Sequence, residues 1–224
     1  MKWKFTKYCL YLFFFLAFTN VACVQEHRPF AYEIAAFLKK DASNPPPKNA
    51  ILFVGSSSFA KWTDVQTYFP SYPIINRGFG GSSIPDVILY ASQIIIPYHP
   101  KQIFIYCGEN DLAASNATTA DSVLERYKTL HKIIRTALPE VQIDFISIKP
   151  SPSRWNLEPV ISEANKKIFN FIKSDPKATY LNVHDEMLTA DGKVKADIFI
   201  SDQLHMNEKG YAIWQKIMLP YLMK

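Results

Sequence analysis

Several common readings fail on what the sequence lacks. It has three cysteines, of which Cys9 and Cys23 fall in the first 23 residues, and no Cys-x-x-Cys pair. A disulfide scaffold and a thiolate zinc site are therefore excluded. Cys107 stands alone inside an apolar run, where a thiol usually serves as a small hydrophobe. Charge of one sign is also scarce. Of a formal net charge of +5, Lys2, Lys4 and Lys7 supply three, and no acid precedes Glu26. Without that segment about +2 remains, too little to argue for a nucleic-acid partner. No apolar run reaches the roughly 20 residues of a membrane-spanning helix. There is no Gly-Lys-Ser/Thr to complete a phosphate-binding loop. Gly78-Phe-Gly80-Gly81-Ser-Ser83 has Ser where a dinucleotide fingerprint needs its third Gly, and it follows the second strand rather than the first. A Gly-x-Ser-x-Gly elbow fails at Phe59. No internal repeat or low-complexity tract is evident.

What is present suits one ordinary domain: 224 residues, 48% hydrophobic and 20% charged, enough for a sizeable core. The N-terminus reads as a secretory signal, with three lysines, an apolar run from Tyr8 to Phe18 and small residues at Val21-Ala22-Cys23. Asn20-Val21-Ala22-Cys23 resembles the cleavage box of bacterial lipoproteins, with Asn at the place of the usual Leu. The expectation is a signal over residues 1–22 and a lipid-modified Cys23 as first mature residue, with membrane attachment through it. The chain would then be periplasmic or anchored in the outer membrane, with plain secretion as the alternative.

Residues 24–49 are expected to hold a helix, Phe30 to Lys40, with Phe30, Ile34, Phe37 and Leu38 on one side, followed by a stiff connector from Asp41 to Lys48. The main domain is expected over 50–224. Apolar runs at Ala50–Val54, Pro73–Asn76, Gln102–Cys107 and Ile143–Ile148, with a weaker one at Ala178–Val183, read as strands. They are continuous rather than alternating, as in a parallel sheet covered on both faces. Helical stripes follow Thr118-x-x-Asp121, a capping-box pattern, and run to Leu138. Further stripes lie at Leu157–Lys173 and Glu208–Leu222, the last with Asn207 as N-cap. Alternating strands and helices predict a three-layer α/β/α sandwich, flavodoxin-like, with a parallel five-stranded sheet.

In such a sheet the loops at the carboxyl ends of the strands share one edge. Strand one runs into Gly55-Ser56-Ser57-Ser58, strand two into Asn76 to Ser82, strand three into Gly108-Glu109-Asn110-Asp111. A final loop carries Asp202-Gln203-Leu204-His205. Gly55-x-Ser57, the Gly81 loop, Gly108-x-Asn110-Asp111 and Asp202-x-x-His205, in this order and strand context, resemble the SGNH (GDSL-type) hydrolase family. The likeness extends from about Ile51 to Tyr221 and is similar to a bacterial exported subgroup.

The resemblance implies a serine esterase that needs no cofactor or metal. A hydroxyl is a poor nucleophile until a base takes its proton, so Ser57 would attack an ester carbonyl with His205 as base and Asp202 orienting the imidazole. The Ser57 and Gly81 backbone N–H groups and the Asn110 amide would form the oxyanion hole. Ser56 replaces the family's usual Asp, where it is expected to brace the loop by its hydrogen bonds. Arg77, Glu109, Lys149, Arg154 and Trp155 lie in loops expected to border the pocket, with Arg77, Arg154 and Trp155 as substrate contacts. His99 and His131 read as packing or surface residues, and His184-Asp185-Glu186 diverge too much on a strand end to hold a metal. The expected substrate is a small acyl ester, foremost O-acetyl groups on carbohydrate. A lysophospholipase or thioesterase-type acyl hydrolase is the alternative, as is a non-catalytic carbohydrate-binding surface protein.

Overall fold

The computed structural model describes residues 28–224; the expected signal segment and Cys23 lie outside them. Five parallel strands form one sheet: β1 (Ile51–Gly55), β2 (Ile74–Gly78), β3 (Gln102–Tyr106), β4 (Gln142–Ile146) and β5 (Ala178–Leu181). Their order is β2-β1-β3-β4-β5, the flavodoxin-like arrangement expected from the pattern. Parallel neighbours need a crossover, and helices supply it. They are α1 (Ala31–Ser43), α2 (Ser57–Ala60), α3 (Val65–Tyr68), α4 (Ile84–Ile94), α5 (Glu109–Ala114), α6 (Ala120–Ala137), α7 (Glu158–Ile172) and α8 (Glu208–Met218).

The central strands β1 and β3 are buried throughout and almost wholly apolar because both faces of the sheet are covered. Leu52, Val54, Ile103 and Ile105 face a core closed by Ile34, Val87, Tyr127 and Ile168 from α1, α4, α6 and α7. The alternate residues Ile51, Phe53, Phe104 and Tyr106 face a second core with Phe59, Trp62, Phe69 and Trp214. This second core is largely aromatic and locks edge to face: Phe53 meets Phe104 at 5.2 Å between ring centroids and Tyr106 meets Trp214 at 4.8 Å. Such contacts add about 0.5–1.5 kcal/mol each beyond area burial.

The differences from the sequence reading have local causes. The helix α4 was not among the expected elements, yet it has a Ser83/Asp86 capping box and buries Val87, Tyr90, Ala91 and Ile94. The cap of α6 is Thr119 rather than Thr118, its side chain accepting from the Ser122 N–H. The first helix runs on to Ser43, because Asp41–Ser43 carry no proline and the three prolines begin only after Asn44. Leu38 of that helix is exposed, and Ile34 carries its burial. The last helix gives way at Leu219 to a 3-10 turn containing Pro220.

At the carboxyl end of β1, Gly55 has φ 138°, and a Cβ placed there would lie 1.9 Å from the Tyr106 carbonyl oxygen. Gly80, by contrast, has open space at the same construction. Gly55→Ala is therefore expected to lose more than about 3 kcal/mol, combining overpacking with a conformation side chains rarely adopt. Gly80→Ala should stay within about 1 kcal/mol of wild type. Urea unfolding of both variants checks the contrast; equal stabilities would overturn it.

Candidate active site

Each strand hands its chain to the same edge, and four loops meet there. Ser57 opens α2 directly after β1, and its Oγ lies 3.0 Å from His205 Nε2. His205 Nδ1 lies 2.6 Å from Asp202 Oδ2. An ionised carboxylate only accepts, so Nδ1 carries the proton and Nε2 is left as acceptor for the Ser57 hydroxyl. The Asp202–His205 loop is self-bracing: Asp202 Oδ1 accepts from the N–H groups of both Leu204 and His205 at 2.9 Å. Burial works against the charge on Asp202, but these bonds and the one from the imidazole outweigh it and hold its carboxyl well below the usual range. Asp202 thus stays ionised well below neutral pH.

Of the three consecutive serines, only Ser57 reaches the imidazole. Ser58 turns inward and is buried, its carbonyl accepting from Tyr211 Oη. Ser56 is buried as well, and it braces the turn through its backbone, not its side chain: its N–H donates to the Tyr106 carbonyl and its carbonyl accepts from Phe59 and Ala60. The bracing expected of the hydroxyl is thus done by the main chain.

Among the described residues, neither the Ser57 N–H nor the Gly81 N–H has an acceptor within the chain. Gly81 has φ 84°, a left-handed conformation that glycine adopts freely. Asn110, on α5 after β3, donates from Nδ2 to the Ser82 carbonyl at 3.0 Å, and its Oδ1 accepts from Arg154 Nη1 at 3.0 Å. One amide hydrogen is left over. Two unsatisfied backbone donors and a neutral amide donor on the loops beside a base-paired hydroxyl can stabilise negative charge developing on an oxygen.

The chain matches the GDSL-like lipase/acylhydrolase family over residues 53–213. It belongs to that family. The match spans from β1 to α8 and so takes in all four loops, and the chain is by family a carboxylic ester hydrolase. No significant match to a curated protein sequence is found. Among solved structures it is similar to a GDSL-like lipase from Bacteroides thetaiotaomicron (18% identity, 84% of this chain and 96% of that one, TM-score 0.72). It is also similar to a variant of an acetyl-xylooligosaccharide esterase from Geobacillus (14% identity, 78% and 94%, TM-score 0.60). At these identities the likeness concerns the fold.

The remaining expected residues of this GDSL-family chain divide. Arg77 does not border the site: its Nη2 pairs with Asp41, its Nε donates to Tyr98 Oη at 2.7 Å, its Nη1 donates to the Asn76 carbonyl, and its guanidinium stacks on Phe37 and Tyr98. Burial demands that every donor be satisfied, so Arg77 anchors α1 instead of meeting substrate. Trp155 lies in the 3-10 stretch Pro152–Leu157 and is 38% exposed. Arg154, in the same stretch, meets Asn110 and Glu109.

Behind Asn110 lies a buried ion cluster of Glu109, Lys149 and Arg154, residues expected to border the pocket, with Arg154 as a substrate contact, but not expected to pair with one another. Glu109 accepts from Lys149 Nζ at 3.0 Å and from Tyr106 Oη at 2.8 Å, with Arg154 Nη1 3.3 Å away. Lys149 is only 1% exposed. Burial opposes the charge on both, but the two cations hold Glu109 below the usual carboxylate range, and Glu109 counters the lowering that burial imposes on Lys149. A lysine directly after a buried strand was the available signal, since such a cation must find a partner.

His131 and His184 both meet carboxylates rather than the Ser57 hydroxyl, His131 through Asp175 at 2.9 Å. At His184, Nε2 lies 2.8 Å from Glu158 and Nδ1 3.0 Å from Asp185. With an acceptor at each nitrogen, the imidazolium donates twice. Burial works against that charge, yet the two carboxylates prevail and raise the His184 pKa above 6.5. A raised folded-state pKa stabilises fully below the ordinary histidine value and loses that contribution as pH climbs through the folded one. His184→Gln should therefore cost more stability at pH 5.5 than at pH 9 in urea titrations; the same cost at both would overturn the assignment.

Proposed function

We propose that this chain is a serine esterase that hydrolyses short acyl esters through an acyl-Ser57 intermediate. The observation that carries this is the continuous line from Ser57 Oγ to His205 Nε2 at 3.0 Å and from His205 Nδ1 to Asp202 at 2.6 Å. His205 takes the Ser57 proton as Oγ bonds to the ester carbonyl carbon. The carbonyl π electrons move to oxygen, where the Ser57 and Gly81 N–H groups and the Asn110 amide receive the charge. Collapse expels the alcohol, which takes the proton from His205. Water then repeats the sequence on the acyl-enzyme, giving up a proton to His205 and releasing the acid and free Ser57.

O-acetylated carbohydrate is the substrate class favoured by the openness of the site. The side chain of Asp202 is 42% exposed and that of His205 17%, and Gly80 and Gly81 are exposed as well. Such an edge admits a bulky alcohol moiety. The fold it shares with an acetyl-xylooligosaccharide esterase and an acetyl esterase points the same way. We also propose export and lipid attachment at Cys23. Mass spectrometry of the mature protein should find an N-terminus at a lipid-modified Cys23; an unmodified N-terminus elsewhere removes the anchor.

The decisive assay compares p-nitrophenyl acetate, butyrate and octanoate. Acetate should be turned over fastest, and Ser57→Ala should abolish the activity while leaving the unfolding midpoint unchanged. Asn110→Ala should fold and lose about 10²–10³ in kcat, the usual cost of one oxyanion donor. A preference for octanoate would favour a lysophospholipase-type reading. Rates equal in wild type and Ser57→Ala would favour a non-catalytic carbohydrate-binding protein.

A further inference from the structure

We infer that Arg154 is a positioning residue for the oxyanion hole: it fixes which end of the Asn110 amide faces the reacting oxygen and polarises that amide. This rests on the esterase reading above and adds a residue that makes no substrate contact of its own in doing so.

The two ends of a side-chain amide are nearly isosteric, so an asparagine is useful as a donor only if something decides its flip. At Asn110 the decision is made from both sides. The Ser82 carbonyl can only accept, so it takes an Nδ2 hydrogen at 3.0 Å. The Arg154 guanidinium can only donate, so its Nη1 takes Oδ1 at 3.0 Å. The reversed amide would set oxygen against oxygen at Ser82 and hydrogen against hydrogen at Arg154. A cation on the amide oxygen also draws electron density from the nitrogen, which makes the remaining N–H a stronger donor.

Arg154 is itself held in place. Its Nη1 lies 3.3 Å from Glu109 Oε1, and its side chain is 22% exposed. Glu109 is fixed in turn by Lys149, Tyr106 and, at 3.5 Å, Ser151. One carboxylate faces two cations, so the cluster carries a net positive charge next to Asn110. The backbone completes the clamp. Ser153 N–H donates to the Gln203 carbonyl at 3.0 Å, which ties the Arg154 loop to the loop of Asp202 and His205. Gln203 adopts φ 55° there. Oxyanion donor and base are thereby held in one frame.

Arg154→Met keeps the aliphatic stem and removes charge and donors, leaving Glu109 its bonds to Lys149 and Tyr106. Its kcat on p-nitrophenyl acetate should fall about 10–100-fold with KM changed less than about twofold, the scale of one charge-assisted hydrogen bond. Introduced into Asn110→Ala, it should cost less than about threefold more, because the two side chains act as a unit. Arg154→Lys should restore part of the loss. An equal loss in both backgrounds, or a rise in KM alone, would overturn the inference and make Arg154 a substrate contact or a general structural residue. A second readout is independent of turnover and uses Arg154→Gln should Arg154→Met not fold. In ¹H–¹⁵N spectra, the Asn110 side-chain amide, assigned by its absence in Asn110→Ala, should be ordered and protected in wild type and solvent-like in the Arg154 variant. An unchanged amide signal sinks the proposal, whereas absent Ser57-dependent hydrolysis with a shifted signal sinks only the esterase reading.

Discussion

The reactive edge depends on how closely β1 and β3 approach where they end. Gly55 leaves no room for a Cβ against the Tyr106 carbonyl, and that same carbonyl accepts the Ser56 N–H at 3.0 Å. The Gly55 carbonyl accepts from Phe79 N–H at 2.9 Å and from Ser82 Oγ at 3.2 Å. One peptide therefore sets the spacing between Ser57, the Gly81 loop and the start of α5. If the strands were an ångström further apart, the hydroxyl and the donors would no longer address one atom, because catalytic geometry tolerates errors of only about 0.5 Å.

Two kinds of support surround this edge. On the aromatic side of the sheet, rigid rings hold α2 and α8 in place, so that the Ser57 end of the site rests on packing. On the Asn110 side, the support is electrostatic: a buried glutamate, a buried lysine and a part-buried arginine. A buried ion pair is weak evidence of stability, since apolar replacements can do as well. Its direction-giving property suits this position, where an amide must keep one orientation.

The fold and the three proposed reacting side chains were legible because their signals are local. Continuous apolar runs, each ending in a small-residue loop, define parallel strands, and Asp202 and His205 sit three residues apart. What stayed hidden was mostly long-range. Arg77 meets Asp41 across 36 residues and Lys149 meets Glu109 across 40. In sequence, each reads as a polar residue at a strand end, with nothing to say whether it faces water, substrate or a buried partner. Arg77 was accordingly expected at the pocket and is found anchoring α1. The helix α4 was obscured differently: its apolar run continues through Ile94, Ile95 and Ile96 into Pro97, which blurs the helical period at its end.

The hydrogen bond between Ser57 and His205 joins residues 148 apart in the chain, with four of the five strands, β2 to β5, lying between them in sequence. Parallel pairings are slow to form, because each closes a long loop before any contact rewards it. The proposed nucleophile and its base belong to the first and last segments of the sheet domain, so a fragment that lacks either end of that domain cannot hold both. Gain of hydrolytic activity during refolding would consequently mark the docking of α8, a later event than the recovery of helical signal, and the two could be followed in one vessel as separate clocks.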